Sequence, residues 1–227
     1  NPKTGDFEFK PGSVMSNIVL ADEINRTSPK TQASLLEVME EYQVTVDDVT
    51  YKVPNPFMVL ATQNPVEYLG TYPLPEAQLD RFTLKISIGY PSPSDECLIL
   101  ERFKTDNPLE TLEPVADGNY ILKLQKLIRE IHMDASLSRY IVDIVGATRA
   151  HPDVVLCASP RGSLNLYRVS QAWAFYNGRN HVLPDDIKKM VVPVLSHRVF
   201  LKQEAKLKKI TSGDILRDIM RSVKVPA

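Results

Sequence analysis

Two adjacent carboxylates, Asp22 and Glu23, close the apolar run Ile18-Val19-Leu20-Ala21. A buried strand ending in such a pair can bring two functions to one phosphate site. Asp22, at the strand terminus, suits a hard divalent cation, Mg²⁺, held through its water ligands. Glu23 suits the polarisation of a water aimed at a γ-phosphorus. The same pair can also be no more than a helix cap or a solvated turn, so its meaning depends on what accompanies it. Further along, Ala61-Thr62-Gln63-Asn64-Pro65 ends a second apolar run in hydrogen-bonding side chains. Asn64 can donate to a γ-phosphate oxygen or position the water, and an Asn before proline equally begins a turn. Arg81, after Leu79-Asp80, and Arg161, after Ala158-Ser159-Pro160, carry planar guanidinium groups that match two phosphate oxygens at once. Lone arginines more often make surface ion pairs. No Gly-rich GxxxxGK[ST] loop occurs in the 227 residues.

The elements that must position these groups follow from periodicity. Ile18 to Ala21 and Phe57 to Thr62 read as strands buried between helices, Phe82 to Ile88 as a further strand, and Val44 to Val46 with Val49 to Val53 as a hairpin around Asp47-Asp48. Ser28-Pro29 supplies an N-cap and a first-turn proline for a helix reaching Tyr42. Continuous apolar strands separated by a helix predict an α/β arrangement with a parallel sheet, whose chemistry belongs at the strand carboxyl ends. Asp22, Glu23 and Asn64 all fall there. Pro91-Ser92-Pro93-Ser94 punctuates the chain, with Ser94 read as the N-cap of a helix through Phe103. Helical patterns then recur at 117 to 132, 136 to 150, 161 to 177, 184 to 196 and 212 to 223. The boundaries are 1–92 for the α/β part and 93–227 for an all-helical part.

Composition sets outer limits. Apolar residues make up 43% of the chain and charged residues 24%, which is ordinary for a globular protein. No apolar stretch approaches the length of a membrane span, and the first residues lack signal-peptide architecture, so a cytoplasmic location is expected. Cys97 and Cys157 are read as buried small apolar residues, without metal-ligand spacing. The four histidines are read as structural, and Trp173 and Phe175 as core. Residues 1 to 97 carry 7 Lys and Arg against 14 Asp and Glu, whereas residues 198 to 227 carry 8 against 3. A basic tail without an aromatic stacking platform makes nucleic-acid binding an unfavoured reading.

Together, Phe7 to Gly12, Leu20-Ala21-Asp22-Glu23-Ile24-Asn25-Arg26, Pro29 to Gln32, Ala61 to Pro65, Gly70 to Phe82 and Ser159-Pro160-Arg161 resemble the MoxR group of AAA+ ATPases over essentially the whole chain. The resemblance implies a partial AAA+ P-loop core followed by a helical lid. Asp22 and Glu23 would be the Walker B pair, Asn64 sensor 1, Arg81 the arginine finger reaching a neighbouring subunit, and Arg161 sensor 2 in the lid. ATP and Mg²⁺ would be the cofactors. Residues 43 to 53 would be the pre-sensor 1 hairpin and residues 5 to 15 the end of the helix 2 insertion, both facing the pore of a ring and its protein client. Arg26 belongs to the motif, with an ion pair to Glu23, a subunit contact or a phosphate contact all open. The implied function is ATP-driven remodelling or maturation of protein complexes by a ring, hexameric in most of the family, with a von Willebrand factor A domain partner. The implied strand order 5-1-4-3-2 lacks its centre strand and one edge here, so a preceding segment with a phosphate-binding loop is expected. The competing reading is an assembly or binding fragment that does not hydrolyse ATP.

Overall fold

The computed structural model describes residues 9–46, 48–64, 71–104 and 107–226. Strand β1 (Ile18–Ala21) leads through a 3₁₀ turn, Ile24–Arg26, into helix α1 (Pro29–Glu41). The helix begins where Ser28 Oγ accepts from the Thr31 amide and Pro29 occupies the first turn. It ends at Tyr42, whose left-handed backbone (φ 53°) sends its amide to Val38 O. Strands β2 (Gln43–Val46) and β3 (Val49–Lys52) form the expected antiparallel hairpin. Asp47 of its turn lies outside the described residues, as do residues 65–70 and residues 1–8, which include Phe7 and Glu8 of the family motif. Strand β4 (Met58–Ala61) pairs in parallel with β1, Ile18 opposite Met58 and Ala21 opposite Ala61.

This two-stranded parallel sheet differs from the expected one in two respects. Its apolar side chains alternate between exposed and half-buried rather than lying enclosed on both faces. Phe82 to Ile88 is not a strand: beyond Phe82 its backbone forms no ladder, and Leu84, Ile86, Ile88 and Tyr90 are exposed together with the residues between them. A period-two apolar pattern becomes a strand only when another strand takes its backbone groups. The core of this half is small: Ile24, Leu36 and Leu74, with Leu35, Met39, Ala61, Leu79 and Phe82 against them. Helix α2 (Glu76–Leu79) is one short turn.

Helix α3 (Pro93–Arg102) starts two residues earlier than expected, with Ser92 rather than Ser94 as its N-cap and Pro93 in the first turn, and it buries no residue. The helical half then follows the sequence closely: α4 (Gly118–Arg129), α5 (Ala135–Ala150), α6 (Pro160–Tyr176), α7 (Pro184–Leu195) and, after the short α8 (Gln203–Leu207), α9 (Ser212–Ser222). It is not purely helical, because β5 (Val154–Leu156) and β6 (Phe200–Leu201) pair antiparallel across it. Its core is extensive. Ile144, Leu166, Ile187, Val191, Leu195 and Leu216 are enclosed, and Trp173 and Phe175 pack against the cluster as expected. Each such enclosed aliphatic side chain contributes about 2 kcal/mol. The cysteines depart from expectation: Cys97 is exposed on α3 and Cys157 only partly covered, since neither α3 nor the end of β5 has apolar surface folded over it.

Candidate active site

The chemistry-bearing residues fall into two groups. The first lies at the carboxyl ends of β1 and β4, where the parallel register brings Thr62 beside the acidic pair. Thr62 Oγ1 donates to Asp22 Oδ1 at 2.5 Å and accepts the Glu23 amide at 2.8 Å, so one hydroxyl orients both acidic residues. The Thr62 amide donates to Ala21 O and the Ile24 amide to Thr62 O, extending the ladder past the strand ends. Glu23 has a left-handed backbone (φ 47°, ψ 51°), an unfavourable conformation for a side chain of this kind, and its carboxylate meets Arg26 Nε at 2.9 Å. Arg26 thus makes the ion pair to Glu23 that the sequence left as one of three options. Buried Gln32 of α1 clamps the turn that follows, its amide nitrogen reaching Ile24 O at 3.1 Å and Tyr72 O at 3.0 Å. Asn64 is half-buried just beyond β4.

The donor set at the strand ends is compatible with a shared hard cation. Asp22 is exposed and its Oδ2 has no protein partner among the described residues, while Oδ1 is held by Thr62. Among the described residues no group of three or more acidic, His or Cys side chains forms a self-sufficient metal cage. One carboxylate with room for water and phosphate oxygens is the kind of site that Mg²⁺ accepts.

The second group joins the two halves of the molecule. Arg81 Nη1 lies 2.7 Å from Glu40 Oε2, and Arg161 Nη2 lies 2.7 Å from Glu40 Oε1. Arg81 Nη1 also donates to Leu36 O at 3.3 Å. Ser159, the N-cap of α6, accepts the Arg161 amide and donates its hydroxyl to Asp80 Oδ2 at 2.9 Å. Asp80 Oδ1 in turn accepts from Arg198 Nε at 2.9 Å. The Arg198 guanidinium is enclosed and also donates to the carbonyls of Asp80, Phe82, Thr83 and Val194. Burial lowers the pKa of Arg198 from its ordinary value, and the Asp80 carboxylate opposes that shift.

His197 sits beside it, with Nε2 3.0 Å from Phe82 O and 2.8 Å from Arg198 Nη1. Burial first, and then the Arg198 cation, pull its pKa down to about 4. The ring is therefore neutral near pH 7, and its single proton on Nε2 or Nδ1 satisfies one of these contacts at a time.

Sequence reasoning singled out Asp22, Glu23, Asn64, Arg81 and Arg161, and the structure groups the first two with Thr62 and the last two around Glu40. It did not single out Thr62, Gln32, Glu40, Asp80, Ser159 or Arg198 as functional residues. Gln32, Thr62, Asp80 and Ser159 stood inside the quoted motifs, but only the fold reveals what they touch.

Residues 1–84 match the family described as ATPase family associated with various cellular activities (AAA), and residues 146–219 match the AAA lid domain. The chain is 53% identical over 226 residues to the uncharacterised protein YeaC of Bacillus subtilis, covering 100% of this chain and 71% of that one. It is 37% identical to the chaperone MoxR1 of Mycobacterium tuberculosis, covering 97% and 60%. A crystal structure from Cytophaga hutchinsonii, described provisionally as an ATPase, superposes with a TM-score of 0.92 at 42% identity, covering 100% of this chain and 72% of that one. This chain therefore spans three fifths to just under three quarters of the length of these three proteins. With both halves matched in order and relatives along its whole length, the chain belongs to the MoxR family of AAA+ ATPases.

Proposed function

We propose that the protein hydrolyses ATP as a subunit of a ring and uses that energy to remodel or mature protein complexes. The observation that carries this reading is the strand-end network in which Thr62 holds Asp22 and Glu23 side by side. Asp22 would hold Mg²⁺ through water, and the cation, when bound, neutralises charge on the β- and γ-phosphates. Glu23 accepts a hydrogen bond from the attacking water and draws off its proton as the oxygen approaches the γ-phosphorus and the bond to the bridging oxygen breaks. Release from Arg26 frees the Glu23 carboxylate for that role. Asn64 donates to a γ-phosphate oxygen. Arg81 serves as the finger and Arg161 as sensor 2. Because both guanidiniums converge on one carboxylate, we assign them to the same phosphate group, that of the nucleotide held by the neighbouring subunit which the finger reaches.

The division at residues 92 and 93 then separates a catalytic part from a lid. The phosphates need a donor loop that these 227 residues do not contain, and in this reading it belongs to the rest of the protein. The remodelling role is supported by the relative named a chaperone. A hexameric ring in the cytoplasm, a von Willebrand factor A domain partner and a protein client complete the proposal. Phe9 stacks on Tyr51 of β3 with ring centroids 3.9 Å apart, which supports treating the insertion end and the hairpin as one client-facing surface. No helix among the described residues is long and apolar enough to cross a membrane. The test is Glu23→Gln in the full-length protein. Turnover should fall at least about 100-fold with ATP binding retained. Turnover within about threefold of wild type removes Glu23 from the base role.

A further inference from the structure

We propose that Glu40 is a positioning residue that holds Arg81 and Arg161 together, oriented for one phosphate group; this rests on the proposed ATPase function. Glu40 stands in the last turn of α1, a helix anchored by buried Leu36 and Val38, so its carboxylate is carried on a rigid element. Each oxygen is taken by a different guanidinium, Oε2 by Arg81 and Oε1 by Arg161, both at 2.7 Å. The two arginines come from opposite halves of the molecule, one from the turn after α2 and the other from the first turn of α6. Without a carboxylate between them, two like charges meeting at one point repel and their long side chains disperse.

One carboxylate cancels only one of the two charges. The three-residue cluster keeps a net positive charge, and apart from the Leu36 carbonyl under Arg81 neither guanidinium has another recorded partner among the described residues. Their side chains remain 32% and 43% exposed, so donors are held in place and still reachable. Fastening the lid does not require that surplus. The fastening is done nearby by Arg198, whose guanidinium is enclosed and saturated with acceptors. A surplus charge on two pre-oriented forks fits an incoming phosphate oxyanion.

The test compares Glu40→Gln, Glu40→Asp, Arg81→Ala and Arg161→Ala in the full-length protein by steady-state ATP hydrolysis, with thermal unfolding followed by fluorescence. Glu40→Gln should lower kcat about tenfold or more while KM for ATP stays within about threefold, and Glu40→Asp should recover part of the loss. Adding Glu40→Gln to Arg81→Ala should cost less than it does alone, because the guanidinium it positions is already gone. A kcat within about threefold of wild type for Glu40→Gln overturns the assignment. So does a kcat loss that tracks a fall in unfolding temperature and is not relieved by Glu40→Asp. If Arg81→Ala and Arg161→Ala both keep normal turnover, the functional reading itself fails. If they lose turnover and Glu40→Gln does not, only the role of Glu40 is lost.

Discussion

In the helical half, Ile144, Leu166, Ile187, Val191 and Leu195 are fully enclosed, whereas in the α/β half the strand residues Ile18, Leu20, Met58 and Leu60 are 48 to 66% exposed. Both regions use the same apolar side chains. The difference lies in how each element satisfies itself. A helix completes its backbone hydrogen bonds alone and needs only a face to bury, and α5, α6, α7 and α9 supply those faces to one another. A parallel strand needs lateral partners for its backbone and layers for both faces, and among the described residues β1 and β4 have one partner each. The residues proposed for chemistry sit in the less enclosed region or at its border. Their geometry rests on hydrogen bonds, from Thr62 to the acids and from Gln32 to the turn, more than on burial.

Three measurements can break or sharpen this contrast. Arg198→Ala should have the largest effect, on the order of 4 kcal/mol in denaturant unfolding, because it strands the Asp80 carboxylate and several carbonyls at the border of the two halves. A loss below about 1 kcal/mol in the same experiment shows that the halves do not depend on this joint. Next, Leu166→Ala should lower stability by about 3 kcal/mol when unfolding is followed by Trp173, the sole tryptophan and a neighbour of the helical core. Leu36→Ala, in the small core, should move that same signal by less than about 1 kcal/mol. Equal shifts from the two substitutions erase the distinction, since the halves would then unfold as one.

The last effect concerns pH. His197 is held near 4 in the folded protein against an ordinary value of 6.5, by burial and by the Arg198 cation, with Lys85 adding to the depression and the Phe82 carbonyl and Asp80 opposing it. The unfolded chain therefore binds the extra proton first. The stability linked to the neutral ring is complete above pH 6.5 and is lost as pH falls from 6.5 towards 4, by on the order of 3 kcal/mol. His197→Gln should flatten the unfolding free energy over that interval, and an unchanged slope in the variant assigns the acid sensitivity to other groups.

What was legible in advance was local. Ser28-Pro29 marked the start of α1 and Pro184 that of α7, because a cap or a first-turn proline acts within one helical turn, while α6 was expected from Arg161, one residue after its observed start at Pro160. The α/β then helical order was legible for the same reason. Phe82 to Ile88 misled because its alternation was real but its lateral partner is not among the described strands. The cysteines misled because burial is decided by what folds over them. Glu40, Asp80 and Arg198 were illegible as functional residues, since Glu40 meets Arg161 and Asp80 meets Arg198 across more than a hundred residues of chain. The family resemblance pointed to Arg81 and Arg161, and nothing local said that they would share a carboxylate.

The Thr62 hydroxyl has a consequence for anyone seeking to recognise or transplant this site. Asp22 and Glu23 moved as a dipeptide to the end of another strand would bring two acids and none of their alignment, because the group that orients them belongs to the adjacent strand and depends on Ala21 standing opposite Ala61. Slipping that pairing by one residue would turn Thr62 to the other side of the sheet. The transferable unit is two parallel strands in a single offset, and a pattern search for the acidic pair alone would return many strand ends that lack it.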